Sequence, residues 1–238
     1  ANNTAVGYTA LSSNTTGTAH TAVGKDSLRA NTTGTRNTAV GNASLEINTT
    51  GDDNVAIGDY ALYNNTTANN NVAVGKDAML SNTTGTRNTA VGYAAGDAMT
   101  TVSDNTYVGH GAGTANTGGD HNTGIGQASM DELTTGANNT ALGSNSLSGV
   151  VTGDSNTAVG KSALNANTSG TSNTLIGALA GDAITTGSYN VLIGRGSDTV
   201  ANDISRSTVL GNECKAEVSF QTIIGWGQMF KFVSKDIL

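Results

Sequence analysis

Gly153–Ser162 reads GDSNTAVGKS, and its residue types are those of a phosphate-binding loop. Such a loop needs four residues between its glycines so that backbone amides can curl round a phosphate. Six stand between Gly153 and Gly160. Lys25 and Lys76 hold the equivalent place in other copies of the motif and are followed by Asp. The stretch therefore reads as a repeated corner. GHGAG at Gly109–Gly113 lacks an acidic partner at dinucleotide-binding spacing and reads as a local variant of a strand. His20, His110 and His121 fall at three different phases of the repeat, so they form no single column. His20 stands where the motif has Asn and reads as a hydrogen-bonding substitute. Asp52, Asp53, Asp120, Asp154 and Asp182 lie near turns without calcium-loop spacing and read as solvated turn residues. No Ser-His-Asp or Cys-His set can be nominated. The expectation is a protein with no catalytic residue, no metal and no cofactor.

The composition narrows the class further. The chain has 238 residues with 32 glycines, no proline, 4% aromatics and 12% charged residues. Low charge argues against plain disorder, and few aromatics argue against a thick core. A net charge of −7 disfavours a nucleic-acid partner bound through a basic face. Cys214 is alone and can form no internal disulfide. No apolar run suggests membrane insertion. The chain begins in mid-motif without an initiator Met, which reads as a piece or processed product of something longer.

The motif-closing glycines are Gly7, Gly24, Gly41, Gly58, Gly75, Gly92, Gly109, Gly126, Gly143, Gly160, Gly177, Gly194 and Gly211, always 17 residues apart. A fixed period near 20 is the mark of a stacked solenoid. Four residues before each glycine comes Asn: Asn3, Asn37, Asn54, Asn71, Asn88, Asn105, Asn122, Asn139, Asn156, Asn173 and Asn190, with His20 and Ser207 as exceptions. Directly before it comes Val, Ile or Leu, and two before it mostly Ala. Each coil reads as a short Thr-Ala-Val strand, a glycine corner, a second short Ala-Leu strand and a polar NTTG turn. Glycine suits corners because it accepts positive φ. The fold class is all-β, a parallel β-solenoid or β-roll of 17-residue coils. Coils about 4.8 Å apart would make a rod of roughly 60 Å. Equal phases stack, so the Asn phase becomes an amide ladder.

Side chains alternate across a strand, which puts Thr/Val and the final aliphatic on one side and Ala on the other. Neither side carries charge, and uncharged strand faces are covered on both sides. One face can close on the coil's interior. The other needs a partner, with the Ala column allowing close backbone approach. A coil this thin is marginal alone, so the expectation is a homotrimer in which Lys at Ala39 or Ala90 blocks assembly.

After Gly211 the period fails: QTIIG at Gln221–Gly225 arrives after 14 residues. Phe220, Trp226, Phe230 and Phe232 are all the Phe and Trp of the chain. The organisation expected is a repeat solenoid over 1–211 and a segment over 212–238. That segment caps the last coil or locks the trimer with its aromatics packed inward, or presents them as a binding tip.

NVAIG at Asn54–Gly58 and NVAVG at Asn71–Gly75 resemble the head repeat of trimeric autotransporter adhesins, a left-handed parallel β-roll associated as three chains. The fuller wording NTAVGY.AL..NTTG resembles repeat regions of bacteriophage tail-fibre proteins, which often precede a self-cleaving intramolecular chaperone. The resemblance covers Asn3 to about Gly211; the 17-residue period is longer than the adhesin repeat. It implies a structural or adhesive segment of a virion tail fibre, a trimeric rod that positions or forms a surface for a host-cell receptor such as a glycan. The alternatives are a bacterial adhesin head at the cell surface and, from another class, an ice-binding solenoid. Ice binding needs a regular Thr face. TGT recurs at Thr16–Thr18, Thr33–Thr35 and Thr84–Thr86, but its central Gly reads as a turn, and Asp52, Asp120 and Asp154 interrupt the column. A glycan-degrading fibre is a further rival without a visible site.

Overall fold

A computed structural model describes residues 2–149 and 151–225, and the backbone of 231–233. The chain forms two compact units, Ala1–His121 and Asn122–Leu238. Every regular element among the described residues is a β-strand. The protein is a parallel β-solenoid of 17-residue coils.

The first unit holds β1 (Thr4–Val6), β2 (Thr21–Val23), β3 (Thr38–Val40), β4 (Val55–Ile57), β5 (Val72–Val74), β6 (Thr89–Val91) and β7 (Thr106–Val108). Each pairs in parallel with the next at a register of 17, so that Ala22 lies opposite Ala39 and Val23 opposite Val40. The second unit continues with β8 (Thr123–Ile125), β9 (Thr140–Leu142), β10 (Thr157–Val159), β11 (Thr174–Ile176) and β12 (Val191–Ile193). There follow β13 (Asp198–Thr199), β14 (Thr208–Leu210), β15 (Lys215–Ala216), β16 (Gln221–Ile224) and β17 (Lys231–Val233). The short β13 and β15 pair apart from the main sheet, and β17 returns antiparallel on β16.

The corner glycines meet a double demand. Gly41 has φ +138°, and a Cβ on it would overlap the carbonyl of Gly58 in the next coil. Any other residue would be strained and would also collide with backbone.

Beyond the corner the expected second strand forms only as the short pair β13 and β15, after Gly194 and Gly211; in the other described coils it is replaced by turns. The Ala-Leu segment is a run of turns, with left-handed residues two and four after the glycine. In the third coil these are Ala43 (φ 53°) and Leu45 (φ 49°). Each coil still bonds to its neighbour along this side: Leu28 N–H donates to Ser44 C=O (3.0 Å) and Thr32 N–H to Thr49 C=O (2.9 Å). Holding an L-residue left-handed costs roughly 1–2 kcal/mol, and burying a Leu side chain returns about 1.5–3 kcal/mol. Leu28, Leu45, Leu62, Leu147 and Leu164 are at most slightly solvent-touched, so burial offsets the strain.

The face assignment from the sequence is reversed. Ala22, Ala39, Ala56, Ala73 and Ala90 in the first unit, and Ala141 and Ala158 in the second, lie inside the coil with no exposed surface. The Thr/Val and terminal aliphatic residues of the same strands point outward. The Ala column is the solenoid's own core, and small side chains are needed there because Leu arrives from the opposite wall. Two exchanges confirm the volume rule. Tyr107 replaces the inward Ala of β7, and Gly113 replaces the Leu of that coil; a Cβ on Gly113 would lie 2.5 Å from the Tyr107 ring. Leu175 replaces the Ala of β11, and Gly181 stands against its side chain.

The last coil loses its three residues from the polar turn. Thr208 still faces Thr222 across β14 and β16, and Ser219 Oγ accepts the Ser205 N–H (3.0 Å), as the pre-corner residue does elsewhere.

Candidate functional site

The polar residues of the repeat are consumed in holding coil to coil. Within each unit the Oδ1 of a column Asn accepts the backbone N–H of the residue one coil on. Asn54 N–H donates to Asn37 Oδ1 (2.9 Å) and Asn156 N–H to Asn139 Oδ1 (2.8 Å). Each Nδ2 donates to a turn carbonyl, as Asn37 does to Gly51 (2.7 Å). Amide-to-amide bonds are added in places, such as Asn190 Nδ2 to Asn173 Oδ1 (3.1 Å). The ladder expected at Asn3, Asn71, Asn88, Asn105, Asn122 and their equivalents is therefore present, carried chiefly by backbone donors.

His20 reproduces both halves of the ladder residue it replaces. Its Nδ1 accepts the Asn37 N–H (3.2 Å), which places the proton on Nε2, and Nε2 donates to Gly34 C=O (2.7 Å). Burial pushes its pKa below the ordinary 6.5, against the upward pull of these backbone contacts. His110 stacks on Tyr93, ring centroids 5.2 Å apart. His20 and His110 are separately engaged, and no group of three His, Cys, Asp or Glu that could hold a metal occurs among the described residues.

A second amide column went unread in the sequence. The Asn that opens each NTTG turn is inside the coil. Asn31 Nδ2 donates to Asn14 Oδ1 (2.9 Å), Asn48 to Asn31 (2.9 Å), Asn65 to Asn48 (2.8 Å) and Asn82 to Asn65 (3.1 Å). The column ends where Met99 takes the phase, leaving Asn82 Oδ1 without a protein partner. The recurrence of Asn in this phase is the signal the sequence carries, and a polar turn accounts for it equally well.

The acidic turn residues are also structural rather than merely solvated. Asp52 Oδ1 accepts the N–H (2.6 Å) and hydroxyl (2.9 Å) of Thr35. Asp120 accepts Ser103 N–H and Asp154 accepts Ala137 N–H, both at 2.7 Å. Asp53 pairs with Arg36 through two bonds of 2.5 and 2.7 Å, and this holds its carboxyl below the usual range. Arg87 does the same to Asp104.

The loop-like stretches dissolve on the same terms. In GDSNTAVGKS, Asn156 serves the ladder, Gly160 is a corner with φ +131° and Lys161 is exposed. In GHGAG, Gly111 and Gly113 take the two left-handed post-corner places (φ 65° and 64°), which are turn positions rather than strand. Gly17 and Gly34, at the centre of the TGT segments, have no positive φ and are buried against the next coil. The first Thr of each segment lies in a bend, and the Thr residues on either side of the glycine are at least partly exposed.

Of the C-terminal aromatics, Phe220 is not turned inward: it is 54% exposed, with φ 62°. A left-handed residue at that phase directs its side chain away from the coil, as it does for Tyr189 and Arg206. Trp226 and Phe230 and the side chain of Phe232 lie outside the described residues; Phe232 pairs through its backbone with Thr222.

What remains free for a partner is the outer sheet face. Two phases make it in every coil. The first is Thr or Val: Thr21, Thr38, Val55, Val72 and Thr89 in the first unit, Thr140, Thr157, Thr174 and Val191 in the second. The other is always aliphatic: Val23, Val40, Ile57, Val74 and Val91, then Ile125, Leu142, Val159, Ile176 and Ile193. Ile57 and Ile176 are each 40% exposed. Other outward phases vary freely, as the post-corner sequence Tyr8, Lys25, Asn42, Asp59, Lys76, Tyr93 shows.

The fold and these columns define a repeat protein of the parallel β-solenoid class. No protein-family model and no curated protein matches the chain.

Proposed function

We propose that the chain is a non-enzymatic structural segment of a bacteriophage tail fibre, a homotrimer of solenoids that holds or forms a receptor-binding surface at the virion. One observation carries this reading: the outer aliphatic column never admits a polar residue, while neighbouring exposed phases admit any type. Apolar side chains repeated on an exposed face signal an interaction surface. Because the column recurs with the coil, its partner must repeat with the same spacing, and a second copy of this chain does so by construction. Three copies are inferred from the resemblance to trimeric fibre and adhesin repeats. The bacterial surface adhesin is the same assembly in a different setting. Immuno-electron microscopy on material from the source of the sequence separates the two. Antibody to this chain labelling the tail fibres of virions is expected; labelling confined to the cell envelope would make it an adhesin, and labelling of neither would overturn both.

Ice binding is favoured by one finding. Thr16, Thr33, Thr50, Thr67, Thr84 and Thr101 form an exposed file in the first unit, at the coil spacing of about 4.8 Å. The adjacent file holds Asp52 and Asp120, which breaks the second rank an ice-facing array needs. Thermal hysteresis would establish this reading; its absence leaves the fibre.

A further inference from the structure

Four of the five arginines are paired across coils with a carboxylate: Arg29 with Glu46, Arg36 with Asp53, Arg87 with Asp104 and Arg195 with Glu213. Arg206 is the exception among the described residues. It occupies the same phase as Arg36 and Arg87, yet its neighbours one coil away are rings. Its Cζ lies 5.2 Å from the centroid of Tyr189 and 5.4 Å from that of Phe220. Both rings are more than half exposed.

We propose that Tyr189, Arg206 and Phe220 form a docking site for an acidic glycan, through a pyranose that carries a carboxylate. The two rings flank the guanidinium from the coils on either side, and no described carboxylate occupies its N–H groups. A planar carboxylate matches the N–H edge of a guanidinium with two parallel charge-assisted hydrogen bonds. At the same phase in the first unit Asp53 and Asp104 supply such a carboxylate; at Arg206 no described residue does, and the ligand would take its place. Exposed aromatic surface beside the anion-binding edge suits the C–H face of a sugar ring. An extended peptide is less suited. The backbone N–H groups of Tyr189, Arg206 and Phe220 are already bonded to Thr171, Ser188 and Ser205, so no strand can be added. No pocket occurs among the described residues to anchor a peptide side chain. A chain of net charge −7 also favours a singly charged group over a phosphate dianion.

The proposal names the receptor chemistry of the attachment reading and rests on that reading for its biological source. The test uses the whole chain and two tagged probes: an oligogalacturonate, and the same oligomer with its carboxyl groups reduced to alcohols. Fluorescence anisotropy should show saturable binding of the acidic probe alone, weakening with added salt. Arg206→Gln should weaken it by about tenfold or more. Arg206→Lys, which keeps the charge but not the fork, should also weaken it, whereas Arg87→Gln should not. Tyr189→Ala and Phe220→Ala test the rings separately, and circular dichroism checks that each variant keeps its coils. Equal binding of both probes, no binding of the acidic one, or wild-type affinity in a folded Arg206→Gln protein would overturn the site. Light scattering on the same samples keeps the two ideas apart: a trimer that ignores the acidic probe removes the site and leaves the fibre, while a monomer that binds it does the reverse.

Discussion

His20 shows how narrowly a ladder position is specified. It must accept one N–H and donate one hydrogen, and neutral imidazole does both only in the tautomer with its proton on Nε2. Protonation would turn Nδ1 from acceptor to donor, directly against the Asn37 N–H. Burial lowers the folded pKa below the 6.5 expected when unfolded. The unfolded chain therefore takes up the proton first, and the stability due to neutral His20 is whole above about pH 6.5 and falls as the pH drops below it. The melting temperature of the wild type should decline more than that of His20→Asn between about pH 7 and pH 5. Parallel curves would show that His20 does not titrate against the fold. Leu45 allows a second test at this scale. It is buried and left-handed at once. Leu45→Met keeps the volume and an unbranched Cβ, and should cost less than about 1.5 kcal/mol in denaturant unfolding. Leu45→Ile keeps the volume but branches at Cβ, and should cost about 1 kcal/mol more because left-handed backbone disfavours that branch. Equal costs would mean that the backbone shifts to relieve the strain.

The coil is the element, and its strength depends on columns rather than on single contacts. Asn48 sits mid-column, giving a hydrogen bond to Asn31 and taking one from Asn65. Asn82 sits at the end, with its Oδ1 already unpartnered. Replacing Asn48 by Leu strands Asn31 Oδ1 without removing an existing defect. Replacing Asn82 by Leu exchanges one stranded oxygen for another, at Asn65. Asn48→Leu should therefore destabilise by about 1–3 kcal/mol more than Asn82→Leu, the cost of one buried unsatisfied polar group. Much of this element was legible in the primary structure. The 17-residue spacing of the glycines stated the register directly, and the Asn phase stated the ladder. The second wall was not legible as turns, because Ala-Leu carries no sign of positive φ; only Gly96, Gly113 and Gly181 in the Leu phase hinted at it. The two faces of β3 were also exchanged. Alternation says that Ala39 and Val40 point opposite ways, but not which way is in. A rule that aliphatics go inside fails when an opposing Leu already fills the space. The arginine–carboxylate pairs were hidden because their partners are 17 or 18 residues apart and look unrelated within any short window.

At the scale of the whole molecule, the exchanged faces alter what assembly should depend on. Ala39→Lys puts a charge inside the coil and should unfold it, so loss of assembly in that variant would say nothing about the interface. Val74→Lys lies on the outer aliphatic column and should leave the β-sheet circular dichroism signal unchanged while preventing association. Thr33→Lys, in the exposed Thr file, should leave both the signal and the association unchanged. If Val74→Lys assembles as the wild type does, the outer column serves some other partner. The account's central claim is that this column is covered by other copies of the chain. Multi-angle light scattering on the folded wild-type protein tests it most directly: the account predicts a mass three times the 23.8 kDa of one chain, and a single-chain mass with the β-sheet signal intact would contradict it.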